Sequence, residues 1–184
     1  MPTHISLLRG INVGGNKKIR MAELKALYES LGFSNVSTYV QSGNVVFDAD
    51  SVDTPALIAR IEAAIAERFG FDVAVLLRTA DDLRRILDGN PFPGVEPAKL
   101  HALFLAAAPA PAVAETLAVP TVDGEEWRLT GQEIYLHYPN GSGRSKMTGA
   151  FFERKLGMAA SARNWNSVNA LYALALAQRN TCQV

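Results

Sequence analysis

Residues 36–47 read VSTYVQSGNVVF. Val36, Thr38 and Val40 fall on one face of an extended segment, and Val45-Val46-Phe47 form a second such segment. Gln41-Ser42-Gly43-Asn44 between them is turn chemistry, so the stretch predicts a β-hairpin. What flanks the hairpin decides the fold. Before it, His4–Leu8 (HISLL) predicts a strand. Met21, Leu24, Leu27, Tyr28 and Leu31 then recur at the three-and-four spacing of an amphipathic helix, ended by Gly32. After it, Thr54 as N-cap and Pro55 at the first helical position open a second helix, whose stripe is Leu57, Ile58, Ile61, Ile65 and Phe69. Phe71–Leu77 (FDVAVLL) predicts a further strand. Strand, helix, strand, strand, helix, strand is the split βαβ, ferredoxin-like order, with both helices on one face of a four-stranded antiparallel sheet. The expected class is α+β.

The second half reads less sharply. Thr79 caps a helix with Asp81 and Asp82 in its first turn. NPFPGVEP (90–97) is a loop, and LHALFL (100–105) is a strand. Pro109–Leu117 is an alanine-rich helix, and Trp127–Leu129 with Glu133–Tyr138 form a hairpin. Two helices, 148–156 and 165–178, complete the chain. The expected domains are 1–79, the ferredoxin-like part, and 80–184, a smaller α+β part that is a candidate degenerate copy of the first topology. No residues match between the halves at the level of sequence.

Composition bounds the function. The chain has 184 residues, 48% hydrophobic and 20% charged, with 18 basic and 18 acidic side chains. Bulk polycation behaviour is excluded. The one cysteine, Cys182, builds neither a disulfide framework nor a zinc site and is not expected to act as a nucleophile. No signal peptide and no membrane-length apolar run is read, so a cytoplasmic protein is expected. The charge is uneven, however. Residues 1–20 carry Arg9, Lys17, Lys18 and Arg20 with no acid, and residues 139–184 carry six basic side chains against Glu153 alone.

Four polar segments stand out. Arg9–Arg20 (RGINVGGNKKIR) is a glycine-bearing strand-to-helix loop, the kind of element that exposes backbone N–H groups to an anion. It matches neither phosphate-loop fingerprint, and a plain connection with solvated lysines explains it equally well. Gln41, Ser42 and Asn44 sit at the hairpin tip, where turn conformation alone accounts for Gly43 and Asn44. Arg144, Ser145 and Lys146 precede a helix whose dipole opposes positive charge. Arg163, Asn164, Trp165, Asn166 and Ser167 lie between the last two helices, where one asparagine serves as N-cap. His4, His101 and His137 are scattered. There is no HExxH, CxxC or EF-hand pattern, no carboxylate dyad, and no RNP-type aromatic string.

LLRGINVGGNKKIRMAEL (7–24), TYVQSGNVVF (38–47) and ERKLGMAASARNWNSVNAL (153–171) closely resemble a bacterial family, domain of unknown function 1697. The resemblance runs along essentially the whole chain. Ser161 and Ser167 stand where that family more usually shows threonine. It implies an α+β fold with a ferredoxin-like N-terminal part, and it implies no activity.

The functional expectation is a binding protein for an anionic ligand: a nucleotide, a phosphorylated metabolite or a short nucleic acid. Arg9, Lys146 and Arg163 are expected to hold the anion, with Asn12, Gly14, Lys17, Gln41, Ser42, Asn44, Ser145, Asn164 and Asn166 around it. No metal, cofactor, membrane or catalytic residue is assigned. Two other readings stay open. One is an enzyme on a phosphorylated substrate, with Lys146 or Ser145 near the chemistry. The other is a structural protein whose polar motifs join the halves. Oligomeric state is not legible.

Overall fold

The computed structural model describes residues 1–181; Cys182 lies outside the described residues. The chain is a mixed α+β protein, and its described residues form two four-stranded antiparallel sheets and six α-helices. It divides into two compact units: Met1–Arg84 together with the chain from Ala170, and Arg85–Asn169. No helix among the described residues is long and apolar enough to cross a membrane.

In the first unit β1 (Thr3–Leu8), β2 (Ser34–Tyr39), β3 (Asn44–Asp48) and β4 (Val75–Thr79) lie in the order β2-β3-β1-β4. The helices α1 (Met21–Ser30) and α2 (Thr54–Phe69) follow β1 and β3. Leu8, Val45, Phe47, Val75 and Leu77 of the sheet share one core with Leu24 and Tyr28 of α1 and Leu57, Ile61 and Ile65 of α2. Tyr28, Phe33 and Phe47 form an aromatic knot in that core, with ring centroids 4.6–5.9 Å apart. The Tyr28 hydroxyl shares a buried 2.7 Å hydrogen bond with Ser6 Oγ. Burial pushes that phenol well above the ordinary tyrosine value.

Three local readings are corrected, the first being the strand after α2, which is Val75–Thr79 and not Phe71–Leu77. The cap of α2 is Asp53, not Thr54: Asp53 Oδ1 accepts from Ala56 N at 3.1 Å, and a carboxylate is a strong N-cap acceptor. Val40 does not continue β2 but leaves it at φ +49, inside the turn.

The second unit repeats the plan of the first. β5 (Leu100–Leu105), β6 (Glu126–Thr130), β7 (Glu133–His137) and β8 (Ala160–Asn164) lie in the order β6-β7-β5-β8, all antiparallel. The helix α4 (Pro111–Glu115) follows β5, and α5 (Gly149–Leu156) follows β7. Two further helices follow the fourth strands: α3 (Ala80–Asp88) after β4, and α6 (Trp165–Thr181) after β8. The register is also repeated. Leu8 opposes Val75 as Leu105 opposes Ala160. Ile5 opposes Arg78 as Ala102 opposes Arg163, and His4 opposes Thr79 as His101 opposes Asn164. Leucine, histidine and arginine thus recur at equivalent positions. The cap after the fourth strand recurs too: Thr79 Oγ1 accepts from Asp82 N at 3.2 Å, and Asn164 Oδ1 accepts from Ser167 N at 2.8 Å.

β8 is the element that periodicity missed. Its sequence ASARN holds no residue larger than alanine among its apolar members, and it buries Ser161 and Arg163 on one face. A strand that buries polar side chains leaves no hydrophobic alternation to detect.

Where the two units differ is in their connections. Residues 9–20 link β1 to α1, whereas only residues 106–110 link β5 to α4. The turn 40–43 joins β2 to β3, whereas only Gly131-Gln132 joins β6 to β7.

Candidate functional site

The loop after β1 is built from its own residues. Gly14 and Gly15 stand at φ +59 and +79, and Asn16 N donates to Val13 O at 3.1 Å. That is a type I′ turn closing a miniature hairpin, with Val13 and Asn16 bridged antiparallel. The glycine pair is there for positive φ. Asn12, itself at φ +56, holds the base of the loop: Oδ1 accepts from Ile19 N at 2.9 Å, while Nδ2 donates to Ile19 O at 2.9 Å and Gln41 O at 2.8 Å. Lys17 is half-buried, and its Nζ donates to Asp72 O. Arg9 N donates to Ala74 O.

The hairpin turn is fastened as firmly. Asn44 is fully buried, and its Nδ2 donates to Tyr39 O and Ser42 Oγ, both at 2.9 Å. Gly43 is at φ +76, where a Cβ would lie 2.8 Å from Leu8 Cβ and Ile11 Cδ1. Only glycine fits there.

Between these two segments and the start of α1 is a cleft of about 650 Å³. Asn12, Gly15, Lys18 and Ile19 line it from the loop, Arg20 and Glu23 from the opening turn of α1, and Gln41 from the hairpin turn. That volume is in the range of small-molecule sites. Arg20 is the N-cap of α1 and supplies no side-chain cap, so the positive end of the helix dipole has no capping oxygen. Lys18 and Arg20 are exposed cations at this end. Arg20 Nε is 3.7 Å from Glu23 Oε2, and Glu23 is the one acid in the lining.

The cleft thus gathers Asn12 and Gln41 from the expected set and adds Gly15, Lys18, Ile19, Arg20 and Glu23. Gly14 is next to it at the loop tip. Arg9, Lys17, Ser42 and Asn44 are not in its lining. The charge of Lys18 and Arg20 was visible in the sequence; that they, rather than Arg9 and Lys17, face the cleft follows from the turn geometry of the loop.

In the second unit Ser145 lines a smaller hollow of about 410 Å³ with Arg144, Asp123 and Glu125. Its Oγ accepts from Met147 N at 3.0 Å. Lys146 is exposed, as is Asn166 in the first turn of α6. Asn164 is the N-cap of α6. Arg163 is 6% exposed, and its Nη1 donates to Ser161 Oγ at 2.7 Å and to Ala162 O at 2.8 Å. Burial pulls its guanidinium down to about 10. Arg78 repeats this arrangement, with Nη1 donating to Leu77 O at 2.8 Å.

The family described as protein of unknown function DUF1697 matches residues 1–135. The chain belongs to the DUF1697 family. The DUF1697 match takes in every residue of the cleft and ends before Ser145, Lys146, Arg163, Asn164 and Asn166. Among solved structures, the conserved bacterial protein SP0830 from Streptococcus pneumoniae has a TM-score of 0.70 at 23% identity. The likeness covers 95% of this chain and 98% of that one, and it is a likeness of fold. No curated protein matches the chain.

Proposed function

We propose that this DUF1697 protein binds a small anionic ligand, a nucleotide or phosphorylated metabolite, in the cleft at the start of α1. One observation carries the reading. The cleft is built from two connections, residues 9–20 and 40–43, that are longer than their counterparts 106–110 and 131–132 in the second unit. The second unit reaches the same strand order with shorter links at both places. The cations Lys18 and Arg20, the uncapped helix end and the Gln41 carboxamide suit a phosphate or carboxylate. Glu23 is the lining's one carboxylate and is paired with Arg20, so the cleft favours binding over acid–base chemistry.

The test is calorimetric titration with inorganic phosphate, pyrophosphate, nucleoside phosphates and short oligonucleotides. The expected result is saturable binding of one class that weakens about tenfold or more in Lys18→Ala/Arg20→Ala. Equal affinity in that double variant overturns the assignment of the cleft.

A further inference from the structure

The polar side chains that line the cleft differ in what they have left to offer. Asn12 is spent: its carboxamide oxygen and nitrogen are taken up by Ile19 and by the Gln41 carbonyl. The Gln41 carboxamide and the Lys18 ammonium are exposed and have no partner among the described residues. Glu23, the third residue of α1, is half-buried, and among the described residues its carboxylate meets only Arg20, at 3.7 Å. An ion pair that long and that exposed holds its partners weakly. Glu23 thus keeps acceptor capacity toward the cleft, and an ionised carboxylate accepts without donating. Lys18 and Arg20 against Glu23 leave the lining with one net positive charge. One anionic group is balanced by it, whereas a second group of that sign near Glu23 meets a like charge. The cleft, at about 650 Å³, has the size that encloses a whole small molecule, so more of the ligand than its anionic group enters. The part that lies against Glu23 has to be a hydrogen-bond donor.

We infer that the ligand of this cleft is a hydroxylated phosphomonoester, a sugar phosphate or nucleoside monophosphate, with its phosphate at Lys18 and Arg20 and its hydroxyls donating to Glu23. The Gln41 carboxamide, which both donates and accepts, bonds the polar groups between. The inference rests on the anion reading above and names the chemical class of its ligand. It makes Glu23 the residue that sets specificity, against polyphosphates and nucleic-acid strands as much as for hydroxyl groups.

The experiment is calorimetric titration of the full chain with methyl phosphate, ribose 5-phosphate, AMP, pyrophosphate and a short oligonucleotide, all at one ionic strength. Ribose 5-phosphate and AMP are expected to bind about tenfold or more tighter than methyl phosphate, a monoester with no hydroxyl on its carbon. Glu23→Gln keeps the length of the side chain and removes its charge. It is expected to weaken ribose 5-phosphate about fivefold and to strengthen pyrophosphate about threefold, two opposite shifts that a disturbed fold would not produce. AMP tighter than ribose 5-phosphate assigns the ligand to the nucleotides and the reverse order to the sugar phosphates; either supports the inference. Equal binding of methyl phosphate and ribose 5-phosphate, lost for both in Lys18→Ala/Arg20→Ala, leaves the anion reading standing and overturns this inference. A preference for hydroxylated esters that persists in Glu23→Gln means that the hydroxyls are read elsewhere and also overturns it. So does pyrophosphate or the oligonucleotide binding more tightly than every monoester. No binding to any probe removes both readings together.

Discussion

Asn12 Nδ2 donates to the Gln41 carbonyl at 2.8 Å, and by that bond the loop after β1 and the turn between β2 and β3 form one wall. The same carboxamide bonds both backbone groups of Ile19. Asn12→Ala is therefore expected to lower stability by about 1–2 kcal/mol, because three backbone groups lose their partner and the new residue must hold φ +56. Asn12→Asp keeps the acceptor for Ile19 N and loses both donated bonds. Urea unfolding is the measurement, and a loss under 0.5 kcal/mol in Asn12→Ala (roughly the scatter of surface substitutions) would show that the wall does not depend on this residue.

Glycines in the same wall should respond unequally. Gly43→Ala meets both a forbidden φ and two carbon atoms at 2.8 Å, of which Leu8 Cβ cannot swing away. A loss of about 2–4 kcal/mol is expected. Gly14→Ala meets nothing within 4 Å, so only its φ of +59 counts and the expected loss is about 1 kcal/mol. Thermal midpoints of the two variants decide the point; equal losses would refute the close approach of the turn to β1.

Acid should weaken the fold through two histidines at equivalent positions. Burial holds the His4 imidazole below its ordinary value of 6.5, opposed by a Ser51 backbone hydrogen bond and the Asp48 charge. Burial also holds His101 below 6.5. His4 Nε2 and His101 Nδ1 have no hydrogen-bond partner. Both are neutral in the fold, while the unfolded chain takes up protons near 6.5. Stability is thus complete above that pH and falls as the pH drops through the folded-state values. His4→Phe, which keeps a ring against Phe47, is expected to flatten the dependence of the urea midpoint on pH between about 7.5 and 5. An unchanged slope would place the acid sensitivity elsewhere.

The paired arginines offer a fourth check. Arg163 and Arg78 are each 6% exposed, and each donates to the carbonyl of the residue before it. If both serve the repeated frame, Arg78→Ala and Arg163→Ala each lower stability by about 2–4 kcal/mol. Guanidinium denaturation of both variants tests this. A marked loss in Arg78→Ala with none in Arg163→Ala would separate Arg163 from the frame and favour a ligand role for it.

The order of elements was legible because most carry clear apolar periodicity, as α2 does with Leu57, Ile61 and Ile65 on one face. The α+β class follows from that order. β8 was not legible, since its sequence ASARN buries Ser161 and Arg163 where a periodicity reading looks for hydrophobic residues. The repeat was hidden for a related reason. Equivalent positions share a histidine, an arginine and a leucine, and what is repeated is the strand register, which a sequence does not display. In the cleft, residue types were legible but their direction was not. An asparagine carboxamide serves a ligand and a backbone equally well, and Asn12, Asn44 and Asn164 all bond backbone groups here. Lys17 and Lys18 are neighbours in the chain, yet only Lys18 lines the cleft.

The matched register of the two sheets means that the chain carries its own reference state. A frame position in one unit has a counterpart in the other, and the second unit shows the frame with short links after β5 and between β6 and β7. Sequence drift at exposed positions of the connection 9–20, such as Lys18 and Arg20, can reshape the cleft without touching a strand pairing. Two chains with the same frame are therefore free to serve different chemistries, and likeness of fold between them says little about what either one takes up.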